Sequence, residues 1–284
     1  VLMEKAARII AANASTTADV YPAISFLLYQ LKDNHSRLVL PQRVSALTDP
    51  LDEKARKALR QGVKPIGNLA YIEVPGFSQG RNSESAQAYI DSLAEGMREA
   101  ALKKPCGWVV DARRNPGGGM HPMLAALAPL LGEGVLGYFV DTAEKRPLSI
   151  QEGAFRMADG YPYKASKPLV DDTLKTLPVA LLSSAQTASA GEIMLVAFRG
   201  RPDTRMFGQP TSGRTSANTT VNLSDGAALA ITSARLADRS GKIYSGRLMP
   251  DEVIEPSTDS SEDKTLAAAL AWLKRQPACS KLTN

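Results

Sequence analysis

Residues 181–199 read LLSSAQTASAGEIMLVAFR, and the class of the fold turns on this stretch. Joined to Val179 and Ala180 it opens as a continuous apolar run, the pattern of a buried strand. It breaks at Thr187-Ala-Ser-Ala-Gly-Glu192 and resumes as an amphipathic helix. A serine at a sharp strand-to-helix turn, among side chains too small to cover it, has an exposed hydroxyl close to a helix N-terminus. Acyl-transfer enzymes place a nucleophile in that position. Taken alone, the same residues also suit an N-cap cluster of Ser and Thr.

Working outward, residues 68–74 form a second apolar strand, stopped by Pro75-Gly76. Residues 83–103 carry a helical period, and residues 107–112 form a further core strand. That strand runs into Arg113-Arg-Asn-Pro-Gly-Gly-Gly119 and then a helix over residues 120–131. Strand, helix, strand, Gly-rich turn and helix in this order call for an α/β fold with a mainly parallel sheet. Residues 138–177 show little periodicity and read as an excursion of short strands over a cleft. Downstream come a short strand at 205–208, a turn at 208–213, and a hairpin of 217–223 with 227–234 around Asp225-Gly226. A last helix spans 266–275. Upstream, residues 1–31 are helical, residues 32–36 form a polar turn, and a helix covers 52–61.

At 284 residues the chain suits one or two domains, and 44% hydrophobic with 22% charged residues is ordinary for a globular protein. No apolar run is long enough to span a bilayer. The net charge of +5 is dispersed, and the aromatics, at 6%, do not interleave with basic residues, which argues against nucleic-acid binding. Cys106 and Cys279 lack metal-ligand spacing and are either a disulfide or two thiols. No cofactor or metal is expected. The chain opens on Val1 rather than Met, so an upstream segment is expected, with room for a signal peptide or an anchor.

The Gly-rich turn lacks the Lys-Ser/Thr of a phosphate loop and the spacing of a dinucleotide fingerprint. It suits an oxyanion hole, because the N–H groups of Gly117 and Gly118 are unshielded and lie before a helix. With Ser189 as nucleophile, the amides of Ala190 and of Gly117 or Gly118 would hold the developing O⁻. Such a serine needs a base, a lysine or a histidine. The two histidines are His35, in the polar turn, and His121, just after the Gly-rich turn.

Six pieces now stand in order: Asp33-Asn-His-Ser36, Tyr71-Ile-Glu-Val-Pro-Gly-Phe77, Asp111-Ala-Arg-Arg-Asn-Pro-Gly-Gly118, Thr187–Glu192, Gly208-Gln-Pro-Thr-Ser-Gly213 and Pro250-Asp251. Together they resemble the C-terminal-processing (tail-specific) and tricorn-core serine peptidases, over residues 24–254. The resemblance implies a crotonase-like ββα-superhelix core (65–258) with a small cap at about 138–177. An N-terminal helical segment (1–64) and a C-terminal helix and tail (259–284) flank it. It implies peptide-bond hydrolysis with Ser189 as nucleophile and Gly117 or Gly118, with Ala190, as oxyanion donors. One branch uses a lysine after a Gly-rich turn, but here Arg214 follows Gly213, and arginine cannot be a general base. The resemblance is therefore to the PDZ-less Ser–His branch, which includes the nisin resistance protein, with His35 as base and His121 structural. A glutamate orients the histidine in tricorn-like members; residues 243–246 hold no acid here, so Asp238 is the candidate, or the site is a plain dyad. An unperturbed histidine base predicts activity rising through about pH 6.5. The branch also implies an exported protein acting on a peptide or protein substrate. The alternatives are a non-catalytic lipid- or peptide-binding relative and a crotonase-type CoA enzyme.

Overall fold

The structure is a computed structural model that describes residues 2–47, 49–79, 84–158, 160–167, 169, 171, 173–257, 259 and 261–280. The chain opens with α1 (Leu2–Ile10), α2 (Tyr21–Gln30), β1 (Arg37–Val39), α3 (Pro41–Ala46) and α4 (Glu53–Gln61). Next come β2 (Val63–Ile66), β3 (Leu69–Glu73), α5 (Glu84–Ala101), β4 (Trp108–Asp111), α6 (Met120–Ala126) and α7 (Ala128–Leu131). The strands β5 (Gly134–Val140), β6 (Lys145–Gln151) and β7 (Ala154–Met157) precede β8 (Val179–Ser183), α8 (Ala190–Ala197) and β9 (Thr204–Gly208). The chain ends with β10 (Ser216–Asn222), β11 (Ala228–Asp238), β12 (Ile243–Tyr244), β13 (Glu252–Val253), α9 (Lys264–Lys274) and α10 (Pro277–Ser280). The expected start of the third helix at Ser83 lies outside the described residues.

Two sheets organise the chain. The first runs β13-β9-β8-β4-β3-β2, parallel throughout except for the β2–β3 hairpin. Its central strands are buried on both faces, and alternate residues serve different cores. Ala70, Ile72, Trp108, Val110, Val179 and Leu181 pack with α5, α6 and α8. Leu69, Tyr71, Val109, Ala180 and Leu182 pack with Phe207 and the α9 residues Ala269 and Leu273. Residues of both parities must therefore be apolar, which is why these strands read as unbroken hydrophobic runs. The α9 helix is capped by Asp263, whose carboxylate accepts the Leu266 N–H (2.9 Å) and pairs with Arg113 (2.8 Å).

The second sheet is antiparallel. Its path is β1-β11-β5-β6-β7, and β10 and β12 also pair with β11. Residues 138–177 thus contribute more than an excursion: β5 and β6 extend the sheet that contains the β10–β11 hairpin. Inward residues such as Leu136, Phe139, Leu148 and Ile150 join the main core. β1 pairs Arg37–Val39 with Ala230–Ala228, so the segment after the N-terminal helices is stitched into the same sheet. No helix among the described residues is long and apolar enough to cross a membrane.

Cys106, just before β4, is bonded to Cys279 in α10 across 173 residues, with both side chains buried beside Val109 and Leu273. The cross-link pins the last helix to the sheet. Replacing both cysteines by serine is expected to lower the unfolding free energy by about 2–5 kcal/mol, read as a reduced urea midpoint.

Candidate active site

Ser189 sits where β8 gives way to α8, with φ 53° and ψ −118°. A non-glycine residue with that backbone stores roughly 1–3 kcal/mol of strain, and its neighbours hold it there. The Ser189 N–H donates to Glu192 Oε2 (2.8 Å). The Ala188 N–H donates to the Asn115 carbonyl (2.9 Å), and Thr187 Oγ1 donates to the Ala112 carbonyl (2.8 Å). Glu192 is fully buried. Its Oε2 also accepts the Arg214 N–H (2.8 Å), while Oε1 accepts the Gly213 N–H (2.8 Å) and the Thr211 hydroxyl. Four donors converge on one carboxylate, which offsets the cost of burying it.

The Gly-rich turn lies against this elbow. Buried Asn115 donates from Nδ2 to the Val74 carbonyl (3.0 Å) and accepts the Gly117 N–H at Oδ1 (2.9 Å). Gly117, at φ 101°, passes so close to the elbow that a Cβ would meet Ser189 Cβ at 2.7 Å. Gly118, at φ 109°, would drive a Cβ into the Phe77 carbonyl at 1.9 Å. Phe77 pairs with the flanking residues, donating to the Gly117 carbonyl (3.1 Å) and accepting from the Gly119 N–H (2.7 Å). The Gly118 and Ala190 N–H groups are left without a hydrogen-bond acceptor among the described residues. Gly117 and Gly118 were equal candidates from sequence. The structure separates them: Asn115 takes the Gly117 amide, and that of Gly118 is free at an exposed position.

His35 reaches this elbow from the turn before β1. Its Nε2 lies 2.9 Å from Ser189 Oγ, and its Nδ1 lies 2.8 Å from Ser216 Oγ on β10. Asp33 forms the turn, accepting the N–H groups of His35 and Ser36 and the hydroxyls of Ser36 and Thr232. Asn34 Nδ2 donates to the Gly213 carbonyl (3.3 Å), tying the His35 turn to the Gly213 turn. The imidazole is 4% exposed. Burial, then the charges of Arg37 and Arg214, lower its pKa from the ordinary 6.5 to about 4, against an opposing pull from Asp33. At neutral pH the ring is therefore uncharged, with one hydroxyl at each nitrogen. The pH 6.5 midpoint expected of an unperturbed histidine moves down accordingly.

Asp238 does not orient His35. It ends β11 and is spent on its own turn, accepting from the Ser240 N–H (2.9 Å), the Lys242 N–H (3.1 Å) and the Tyr244 hydroxyl (2.9 Å). Ser216 stands at the imidazole instead, a residue that the sequence reading passed over. Nothing in its local sequence marks it except a place two residues after Arg214. Glu192 was visible only as the acid of a Ser-x-x-Glu spacing, the capping-box pattern. His121 is buried against Phe155 and Tyr163, with ring centroids 5.7 and 5.1 Å away.

Comparison with known proteins shows the family. Residues 68–254 match Peptidase family S41. The chain belongs to that family. It is 28% identical over 269 residues to the nisin-resistance protein of Lactococcus lactis subsp. lactis, covering 93% of this chain and 76% of that protein. It is 26% identical over 210 residues to the carboxyl-terminal-processing protease of Synechocystis, spanning 74% of this chain but 43% of that relative's length. Among solved structures, a lipoprotein from Streptococcus agalactiae shares the mixed α/β fold with a TM-score of 0.75 at 22% identity, over 96% of this chain and 87% of that one. The photosystem II D1 C-terminal processing protease matches with a TM-score of 0.56 at 18% identity, over 96% and 91%.

Two measurements check the site. Followed by NMR, the His35 ring should titrate near pH 4, and Arg214→Gln should raise that value by removing a positive charge. Because the folded pKa lies below the unfolded one, the unfolded chain takes up this proton first. The His35 contribution to stability is thus complete above about pH 6.5 and is lost as the pH falls toward 4. Glu192→Gln turns an amide NH₂ toward N–H donors, and should cost about 2–5 kcal/mol in denaturant unfolding.

Proposed function

We propose that this chain is a serine peptidase working through Ser189 and His35. The observation that carries the proposal is the 2.9 Å contact between His35 Nε2 and Ser189 Oγ, beside the unpaired amides of Gly118 and Ala190. His35 takes the Ser189 proton as the oxygen attacks a peptide carbonyl, and the two amides receive the negative charge of the tetrahedral intermediate. The protonated ring then gives its proton to the leaving amine. Water, deprotonated by the same ring, releases the acyl group from Ser189.

In this reading Nδ1–H donates to the Ser216 hydroxyl, which stands where a carboxylate would otherwise orient the ring, and Nε2 is the acceptor for Ser189. The alternating packing of β3, β4 and β8 against helices on one face supports a crotonase-like core with the antiparallel strands attached to it. The Cys106–Cys279 disulfide supports an oxidising, exported location, since such bonds persist outside the cytosol. The substrate class is a peptide or protein.

A fluorophosphonate probe should label the wild type and leave Ser189→Ala unlabelled. On a cleaved peptide, Ser189→Ala and His35→Ala should each lower kcat by about 10⁴-fold or more, with far-UV CD unchanged. Ser216→Ala should lower kcat by about 10- to 100-fold at nearly constant KM, the loss of one hydrogen bond to a ring that becomes charged. Turnover by Ser189→Ala at the wild-type rate would overturn the assignment.

A further inference from the structure

Three successive glycines close the turn after β4, and their amides have different fates. The Gly119 N–H donates to the Phe77 carbonyl (2.7 Å) and that of Gly117 to Asn115 Oδ1 (2.9 Å), so only the Gly118 N–H is left over among the described residues. Phe77 acts there through its backbone, Asn115 through its side chain. Asn115 is fully buried, with all its polar atoms in use. Its Nδ2 donates to the Val74 carbonyl just past β3 (3.0 Å) and lies 3.4 Å from Met123 Sδ in α6. Its N–H donates to the Ala112 carbonyl (3.0 Å), and its own carbonyl accepts the N–H of Ala188, the residue before Ser189 (2.9 Å). The first turn of α8 rests directly on it. A Cβ on Gly191 would come within 2.8 Å of the Asn115 carbonyl oxygen and 3.0 Å of Oδ1.

The two unpaired amides come from separate segments, Gly118 from the turn after β4 and Ala190 from the elbow after β8. Both can hold one oxyanion only if they aim at one point, and sites of this kind tolerate errors of about 0.5 Å. Asn115 touches both segments. Its side chain holds Gly117, the residue before one donor, and its main chain holds Ala188, two residues before the other.

We propose that Asn115 is a positioning residue that selects the Gly118 amide as an oxyanion donor and sets its place relative to the Ala190 amide. This role rests on the peptidase reading above. By accepting the Gly117 N–H, Asn115 keeps that amide turned inward and leaves the next one turned out. An uncharged amide suits the task for a second reason. It offers an acceptor to Gly117 and a donor to Val74 while adding no negative charge beneath an oxygen that itself becomes negative. A carboxylate in its place would repel that oxygen and leave the Val74 carbonyl without its donor. A protonated carboxyl, with one O–H donor and a free acceptor oxygen, would reproduce both contacts.

The test separates binding from turnover on a peptide found to be cleaved by mass spectrometry of library digests. Asn115→Ala should lower kcat by about 10²- to 10³-fold, the usual cost of one oxyanion donor, with KM within about threefold of wild type. A peptide aldehyde of the same sequence forms an adduct with Ser189 that places an oxygen between the two amides. Its affinity should fall in proportion to kcat/KM, whereas the matching peptide alcohol, which forms no adduct, should bind as it does to the wild type. Asn115→Asp should approach the wild-type kcat near about pH 5, where burial keeps the new carboxyl protonated and His35 is uncharged. Its kcat should then fall as the carboxyl ionises, a limb absent from wild type and from Asn115→Ala. Far-UV CD reads whether each variant stays folded; should Asn115→Ala not fold, the limb in Asn115→Asp decides. A wild-type kcat in Asn115→Ala would overturn the positioning role and leave the peptidase reading standing. So would equal losses of aldehyde and alcohol binding, or an Asn115→Asp profile that follows the wild type. A wild type that neither cleaves peptides nor reacts with the fluorophosphonate probe would overturn the peptidase reading, and the role of Asn115 with it.

Discussion

The site depends on the buried carboxylate of Glu192. From the first turn of α8 it reaches back to the Ser189 amide, and outward to the amides of Gly213 and Arg214 and the Thr211 hydroxyl. One side chain therefore holds the strained elbow that presents Ser189 and fixes the turn that feeds β10. Because β10 brings Ser216 to Nδ1 of His35, the same carboxylate also acts indirectly on the position of the imidazole. A charge in the core is costly unless every lone pair is used. Here that requirement forces distant segments into one geometry.

His35 is the member that must travel. It is separated from Ser189 by 154 residues and is carried by a short turn rather than by a core strand. Three restraints replace burial in a sheet: the Asp33 carboxylate that closes the turn, the Asn34 contact to Gly213, and the β1–β11 ladder that begins two residues later. The antiparallel sheet thus carries His35 ahead of β1 and, at the start of β10, the Ser216 hydroxyl that meets its ring. The parallel sheet carries Ser189 and the Gly118 amide at the ends of β8 and β4. The candidate site lies where the two sheets meet.

Burial and charge set the electrostatics of the Ser189–His35 pair. A neutral hydroxyl stands at Nδ1, and burial first, then nearby charges that are mostly positive, lower the His35 pKa to about 4. Such a ring is always ready to accept a proton but is poorly stabilised once it has one. The negative group that acts on the ring is Asp33, whose oxygens are already engaged by its own turn and by Thr232. Burial, with the positive charges of Arg37 and Arg214 added to it, accounts for the low pKa of His35.

Much of this was legible in the amino-acid order. Strands β3, β4 and β8 read as apolar runs because both of their faces are buried. Asp225-Gly226 announced the β10–β11 hairpin through the positive φ its turn requires, 86° at Gly226. Ser189 and the Gly117–Gly118 turn were visible because close backbone approach and sharp turns admit few residue types. Strands β5 and β6 were not legible as sheet, since residues such as Lys145, Arg146 and Gln151 place one edge of the pattern in solvent. Nor was Ser216: hydroxyl residues are common, and its role exists only because folding brings it 2.8 Å from a histidine 181 residues away. Asp238 fitted the chemistry expected of an orienting acid, but its own turn had already claimed its oxygens. The linear order determined which segments could be strands, turns and a nucleophile elbow, because those depend on local backbone freedom and on burial period. Only the tertiary structure decided which polar atoms meet, because a hydrogen bond between distant residues depends on the closure of the whole chain and leaves no local pattern.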